Sequence, residues 1–174
     1  MKIAVVYKSK YGSTKQYASW IAEELNAELF EASFVRPKRL LFYDIIIYGG
    51  GLYAGGISGV DLVTKHPCKK LLIFTVGLAD PGITDYSKIL NKNLPSDLQN
   101  NVKIFNLQGG INYKKLGIIH RVMMAMMKMM IFKEKSRNEL SEEDKQFLAT
   151  YGGQVDFTNK QNILPIINYV KTIS

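Results

Sequence analysis

The chain has 174 residues, 47% of them hydrophobic, which suits one globular domain with a sizeable core and leaves too little for a second. A single cysteine, Cys68, excludes an internal disulfide framework, and two histidines, His66 and His120, without paired Cys/His spacing argue against a metal site. The formal charge of +8 calls for an acidic counterpart: an anionic membrane surface or a carboxylated substrate before nucleic acid, because no recognition helix or basic–aromatic interleaving is present.

Cys68 reads as a small buried side chain rather than a nucleophile, and the lone cysteine with no charged-then-apolar leader points to the reducing cytoplasm. The first apolar run, Ile3 to Tyr7, predicts a strand that leads directly into Ser9-Lys10-Tyr11-Gly12-Ser13-Thr14. A helix follows, with Tyr17, Ala18, Ile21, Ala22 and Leu25 on one face and Lys15, Glu23 and Glu24 elsewhere. Strand, small hydroxylated turn and helix together make a phosphate cradle. The turn aims amides and hydroxyls at one point, and the helix adds its unpaired N–H groups and positive dipole end. The plainer reading is a strand-to-helix turn capped by Ser13 or Thr14.

Further runs follow at Ala27 to Phe30, Asp44 to Tyr48, Leu71 to Val76 and Val102 to Leu107, spaced to leave room for helices. Continuous apolar runs suit strands buried on both faces of a parallel sheet, hence a doubly wound α/β fold with ligands beyond the carboxyl ends of its strands. Two more loops at that end stand out. Gly49 to Gly56 lets backbone approach a flat ligand and offers the Tyr53 ring for stacking, or else is a flexible connection in which Tyr53 covers an apolar edge. The match of Gly49-x-Gly51-x-x-Ala54 to a dinucleotide fingerprint is weak, since no acidic residue follows about 20 positions later. Thr75 to Pro81 is a third ligand loop or a simple turn closed by Asp80-Pro81.

From Gly109-Gly110 a segment runs through Tyr113, Leu116, Ile118, Ile119 and Val122 into Met123, Met124, Met126, Met127, Met129 and Met130. It predicts a helix with a cationic stripe, Lys114, Arg121, Lys128 and Lys135, at seven-residue spacing. Charges interrupt it short of the roughly 20 apolar residues a spanning helix needs. It lies on an anionic membrane surface, covers a hydrophobic substrate site, or packs on its own domain or a second subunit. Two more helices are predicted, one starting at Ser141-Glu142-Glu143-Asp144 and ending by Gly152-Gly153, the other over Ile163 to Ile173.

Ser9, Tyr11, Gly12, Ser13 and Thr14 match the first-strand loop of the flavodoxin family, Ser/Thr-x-Tyr/Thr-Gly-Asn/Ser-Thr, and the chain resembles that family over nearly its whole length. The resemblance implies a flavodoxin-like, doubly wound, five-stranded parallel sheet in the order 2-1-3-4-5. It implies one domain over 1–174, with a Met-rich helix inserted at about 109–137, and flavin mononucleotide (FMN) as cofactor. By position it implies that Ser9, Lys10, Tyr11, Gly12, Ser13 and Thr14 hold the phosphate and that Gly51, Leu52, Tyr53, Ala54 and Gly55 border the ring. Thr75, Val76, Gly77, Leu78, Ala79 and Asp80 would contact its polar edge.

The inserted helix is similar in character to the bacterial quinone-dependent protoporphyrinogen oxidase branch, which implies a porphyrinogen as reductant and a membrane quinone as acceptor. The Tyr53-Ala54-Gly55 loop departs from that branch's more basic loop. Because flavin chemistry belongs to the cofactor, the lack of an acid–base triad is no objection to an oxidoreductase. The expected partners are a redox protein or a hydrophobic or anionic small molecule, with peripheral contact at the inner membrane face and homo-oligomerisation also open. The alternative is a soluble electron-transfer flavodoxin. Such carriers are typically acidic, and a charge of +8 would repel their basic partners. A third reading is a domain that has lost its cofactor and serves as an interaction module.

Overall fold

The parallel sheet order is the one the family resemblance implies. In a computed structural model that describes residues 1–134 and 140–173, strands β1 (Ile3–Lys8), β2 (Glu28–Glu31) and β3 (Ile45–Tyr53) pair side by side with β1 in the middle. A two-residue strand β4 (Gly56–Ile57) and a short helix α2 (Asp61–Thr64) then lead to β5 (Leu71–Gly77). Helices α3 (Ser87–Asn93) and α4 (Ser96–Asn101) lead to β6 (Lys103–Gln108), giving the order β2-β1-β3-β5-β6. Ala4, Val5, Val6 and Ile45 to Tyr48 are wholly buried, because each face of the sheet meets its own core. One core holds Val5, Ile47 and Phe74 against α1 (Ser13–Leu25); the other holds Val6, Ile46 and Ile73 against Leu40, Val63 and Leu94. Each fully buried aliphatic side chain contributes about 1.5–3 kcal/mol.

Helix α1 buries Tyr17, Ala18, Ile21 and Ala22, the face its spacing predicts. It stops at Asn26, whose left-handed φ of 47° turns the chain so that the Ala27 N–H reaches back to the Ala22 carbonyl at 2.9 Å.

The third strand departs from expectation. It runs on from Tyr48 through the glycines to Tyr53, so Gly49, Gly50 and Gly51 belong to the sheet and not to a loop. A Cβ at Gly49 would lie 2.1 Å from Cζ of Phe74, and one at Gly50 would lie 2.5 Å from Cγ2 of Ile57; these two glycines make room for neighbours. The chain then reverses at Ala54 (φ 49°) and Gly55 (φ 73°), two left-handed residues in succession, as a tight hairpin requires. Leu52 pairs with Ile57 and Tyr53 with Gly56. Asn93 locks the hairpin, its Nδ2 donating to the Gly55 carbonyl at 2.8 Å and its Oδ1 accepting the Ile57 N–H at 2.9 Å.

After β6 the chain leaves the sheet as β7 (Gly110–Asn112) and a 3-10 turn at Tyr113–Lys115, then forms α5 (Ile118–Glu134) and α6 (Glu142–Thr150). It returns as β8 (Gln154–Asp156), antiparallel to β7, with the Phe157 N–H bonded to the Gly109 carbonyl at 3.3 Å. The excursion therefore encloses α6 as well as the Met-rich helix and reaches beyond the expected 109–137. Helix α6 begins with the capping box its sequence announces: Ser141 Oγ accepts the Asp144 N–H at 3.2 Å, and Asp144 Oδ2 accepts the Ser141 N–H at 2.9 Å. Helix α7 (Leu164–Ile173) then covers the first core with Ile166, Ile167 and Val170. Lys135, the last residue of the expected cationic stripe, lies outside the described residues.

Candidate functional site

The turn after β1 opens the first helix without a side-chain cap. Gly12 stands at the cap position with φ 106°, a conformation that disfavours any residue with a Cβ, and neither Ser13 nor Thr14 serves as cap. The Gly12 N–H donates to Ser9 Oγ at 3.2 Å, and the first helical bond runs from the Gln16 N–H to the Gly12 carbonyl at 2.9 Å. The amides of Ser13, Thr14 and Lys15 consequently have no acceptor within the helix and face the turn with its positive dipole end. Ser13 Oγ accepts the Gly110 N–H at 3.2 Å, tying the cradle to the start of the excursion.

A cavity of about 400 Å³ begins at this turn, a volume suited to a cofactor-sized ligand. Ser9, Tyr11, Ser13 and Thr14 line it together with Leu52, Tyr53, Ala54 and Gly55 from the hairpin and Val76, Gly77, Leu78 and Ala79 from the end of β5. The three loops singled out in the sequence thus meet at one place.

Lys10, Gly12, Gly51, Thr75 and Asp80 do not line the cavity. Lys10 is exposed, with its ammonium 5.8 Å from the Tyr11 ring centre. Gly12 shapes the turn. Gly51 permits a close approach, since a Cβ there would lie 2.9 Å from Cε2 of Tyr53 and 3.3 Å from Oγ1 of Thr14. Thr75 is wholly buried and donates to Asn106 Oδ1 at 2.7 Å across the sheet, so its hydroxyl is occupied away from the site. Asp80 closes a turn by accepting the Gly82 N–H at 2.8 Å, while its own N–H donates to Gln146 Oε1 at 3.1 Å.

The remaining wall was not foreseen residue by residue. Leu116, His120, Met123, Met124 and Met127 line the cavity from the excursion, joined by Glu143, Gln146 and Phe147 of α6. His120 is the centre of this contact. Its ring is stacked on Tyr53, with 5.4 Å between centroids and 7° between planes, and its Nδ1 is hydrogen-bonded to the Tyr11 hydroxyl. Tyr11 meets Tyr53 edge-on at 6.0 Å. Burial, and secondarily the Lys10 ammonium, holds the His120 pKa below its ordinary value. Burial, with Tyr11 second, pushes the Tyr53 phenol up to about 12, so it is neutral at physiological pH. The spacing of His120, Met123, Met124 and Met127 is one helical face, the signal by which the sequence could have assigned His120 to the methionine wall.

These residues fit FMN. Amides with no acceptor inside the helix, beside hydroxyls that can still donate, suit a phosphate, Gly51 lets Tyr53 and Thr14 come close, and apolar walls with a neutral aromatic ring suit a flat heterocycle. Among the described residues no group of three or more His, Cys, Asp or Glu is placed to hold a metal ion.

The family model described as a flavodoxin domain matches residues 4–139, and the chain belongs to that family. FMN is the cofactor that family and site define. An uncharacterized protein of Methanocaldococcus jannaschii is 32% identical over 83 residues, 44% of this chain and 55% of the relative, so the chain spans about half the length of the curated relative it matches. Among solved structures, a flavodoxin from the domain Archaea is similar at 17% identity and a TM-score of 0.47, covering 66% of this chain and 87% of that one. Flavodoxin 2 of Bacillus cereus is 21% identical, with a TM-score of 0.46 over 62% of this chain and 84% of that one. A flavoprotein of Lactobacillus acidophilus in complex with FMN is 14% identical, with a TM-score of 0.41 over 62% and 91%. The family match and the strand order carry the assignment without these likenesses.

Proposed function

We propose that the chain is an FMN-dependent oxidoreductase whose small-molecule partner enters beneath α5. One observation carries this reading: a single cavity runs from the open end of α1 to the methionine face of α5, so the flavin site and an apolar chamber are continuous. The amides at the start of α1 with Ser9, Tyr11, Ser13 and Thr14 would take the phosphate, and Leu52 to Gly55 with Val76 to Ala79 would flank the ring. When bound, FMN accepts a hydride or single electrons and passes them on. Tyr53 supplies a neutral stacking surface. The hydrogen bond between the Tyr11 hydroxyl and His120 Nδ1 supplies a proton-exchanging pair at the cavity wall. Met123, Met124 and Met127 exclude water and adapt to the shape of an apolar partner.

The finer expectation, oxidation of protoporphyrinogen with a quinone as acceptor, rests on the character of the excursion and on the positive charge that suits a carboxylated reductant. A cytoplasmic setting, at the inner face of the membrane, fits the single Cys68, whose thiol burial pushes up to about 11 and so keeps unreactive. The test is anaerobic titration of the FMN-loaded protein with protoporphyrinogen and then a quinone, followed in the visible spectrum. Bleaching by the first and recovery with the second supports the enzyme. A bound flavin inert to both indicates a flavodoxin-type electron carrier.

A further inference from the structure

We infer that the outer face of α5 docks into the surface of an anionic lipid bilayer. The structure divides this helix in a way its sequence alone does not. His120, Met123, Met124 and Met127 face the cavity, whereas Ile118, Ile119, Val122, Met126, Met129 and Met130 occupy the opposite face and are 54–81% exposed. Six large apolar side chains on one face of a helix, facing water, form a contiguous apolar strip of the kind that marks an interaction surface.

Charge selects the occupant. Arg121 and Lys128 run along one flank of α5, Lys114 and Lys115 precede it, Lys133 stands near its end, and no carboxylate occurs from Tyr113 to Lys133. The Arg121 guanidinium donates to the Lys114 carbonyl at 2.9 Å, which holds this flank together. A second copy would bring two such cationic flanks against each other, at a cost that a layer of lipid phosphates does not impose. Among the described residues no helix is long and apolar enough to cross a membrane, so the geometry is that of a helix lying in the headgroup plane, side chains in the acyl boundary and cations at phosphate level. The opposite face of α5 then brings the apolar chamber next to the lipid.

This surface is separate from the cavity wall, so lipid binding and flavin binding are measured independently. The test is flotation of the full-length chain with phosphatidylcholine vesicles containing or lacking phosphatidylglycerol. The protein is expected to float with the mixed vesicles, far less with pure phosphatidylcholine, and less as salt rises. Ile119→Glu and Met129→Glu, at exposed positions that leave the fold unchanged by circular dichroism, should each weaken binding about tenfold, as loss of one buried apolar side chain implies. A Met129→Trp reporter should shift its fluorescence to the blue on adding the mixed vesicles. Absence of flotation, equal flotation of the Glu variants, or a concentration-dependent dimer abolished by those variants in place of lipid binding overturns the inference.

Discussion

His120 of α5 lies flat against Tyr53 at the end of β3, with 5.4 Å between the ring centroids and 7° between their planes. The pair joins the excursion to the hairpin, so the aromatic wall of the cavity is built by both parts of the chain.

Removing that contact should loosen the site without unfolding the domain. His120→Ala is expected to weaken FMN binding about threefold to tenfold, in line with roughly 0.5–1.5 kcal/mol for an aromatic pair. His120→Phe keeps the stack, loses Nδ1, and should retain most of the affinity. Fluorescence titration of FMN distinguishes the two, and equal loss in both variants would assign the effect to the hydrogen bond with Tyr11.

The same histidine gives stability a pH dependence. Its folded pKa lies below the ordinary 6.5, so the folded state favours the neutral ring. The contribution is fully present above the ordinary value and is lost as pH falls through the lowered one. Thermal melts of the protein from about pH 8 to about pH 5 should show a decline on acidification that His120→Gln makes shallower.

Ser9→Asp tests the phosphate cradle with little structural disturbance. The new carboxylate still accepts the Gly12 N–H that Ser9 Oγ accepts at 3.2 Å, and it places a negative charge beside the amides of α1. Thermal stability should stay within about 0.5 kcal/mol of the parent, because Ser9 is only half-buried and its hydrogen bond is kept. FMN affinity should fall about tenfold or more, the factor that corresponds to roughly 1.4 kcal/mol of charge repulsion. Riboflavin, which lacks the phosphate, should be indifferent to the change.

Gly49→Ala should destabilise the sheet by about 1–3 kcal/mol or more, because the added Cβ would come within 2.1 Å of the Phe74 ring. Phe74→Leu removes that collision, so the double variant should be less unstable than the sum of the single changes. Urea unfolding of the four proteins measures the coupling, and simple additivity would show that Gly49 acts through something other than Phe74.

The strands and the turn that opens the first helix were legible because each rests on local signals, continuous apolar runs and a small hydroxylated segment ahead of an amphipathic helix, whereas the order of the strands in the sheet came from the family resemblance. The capping box at Ser141 and Asp144 was legible for the same reason. The hairpin at Ala54-Gly55 was not, since Tyr53-Ala54-Gly55-Gly56 lacks the Asn-Gly signature of such turns and the left-handed φ of Ala54 is imposed by its surroundings, Asn93 among them. The β7–β8 pairing joins three-residue strands far apart in the chain, too short for any periodicity, and without it α6 could not be assigned to the site. The place of His120 in the cavity wall was not legible because its partners, Tyr11 and Tyr53, come from other elements.

The most direct test of the central claim is a titration of the purified chain with FMN, followed by flavin fluorescence and the visible spectrum. Saturable binding of one FMN per chain, with quenching that Tyr53→Ser relieves, is the expected result. No binding, or binding that neither Ser9→Asp nor Tyr53→Ser alters, would contradict a flavin site at the meeting of the three loops.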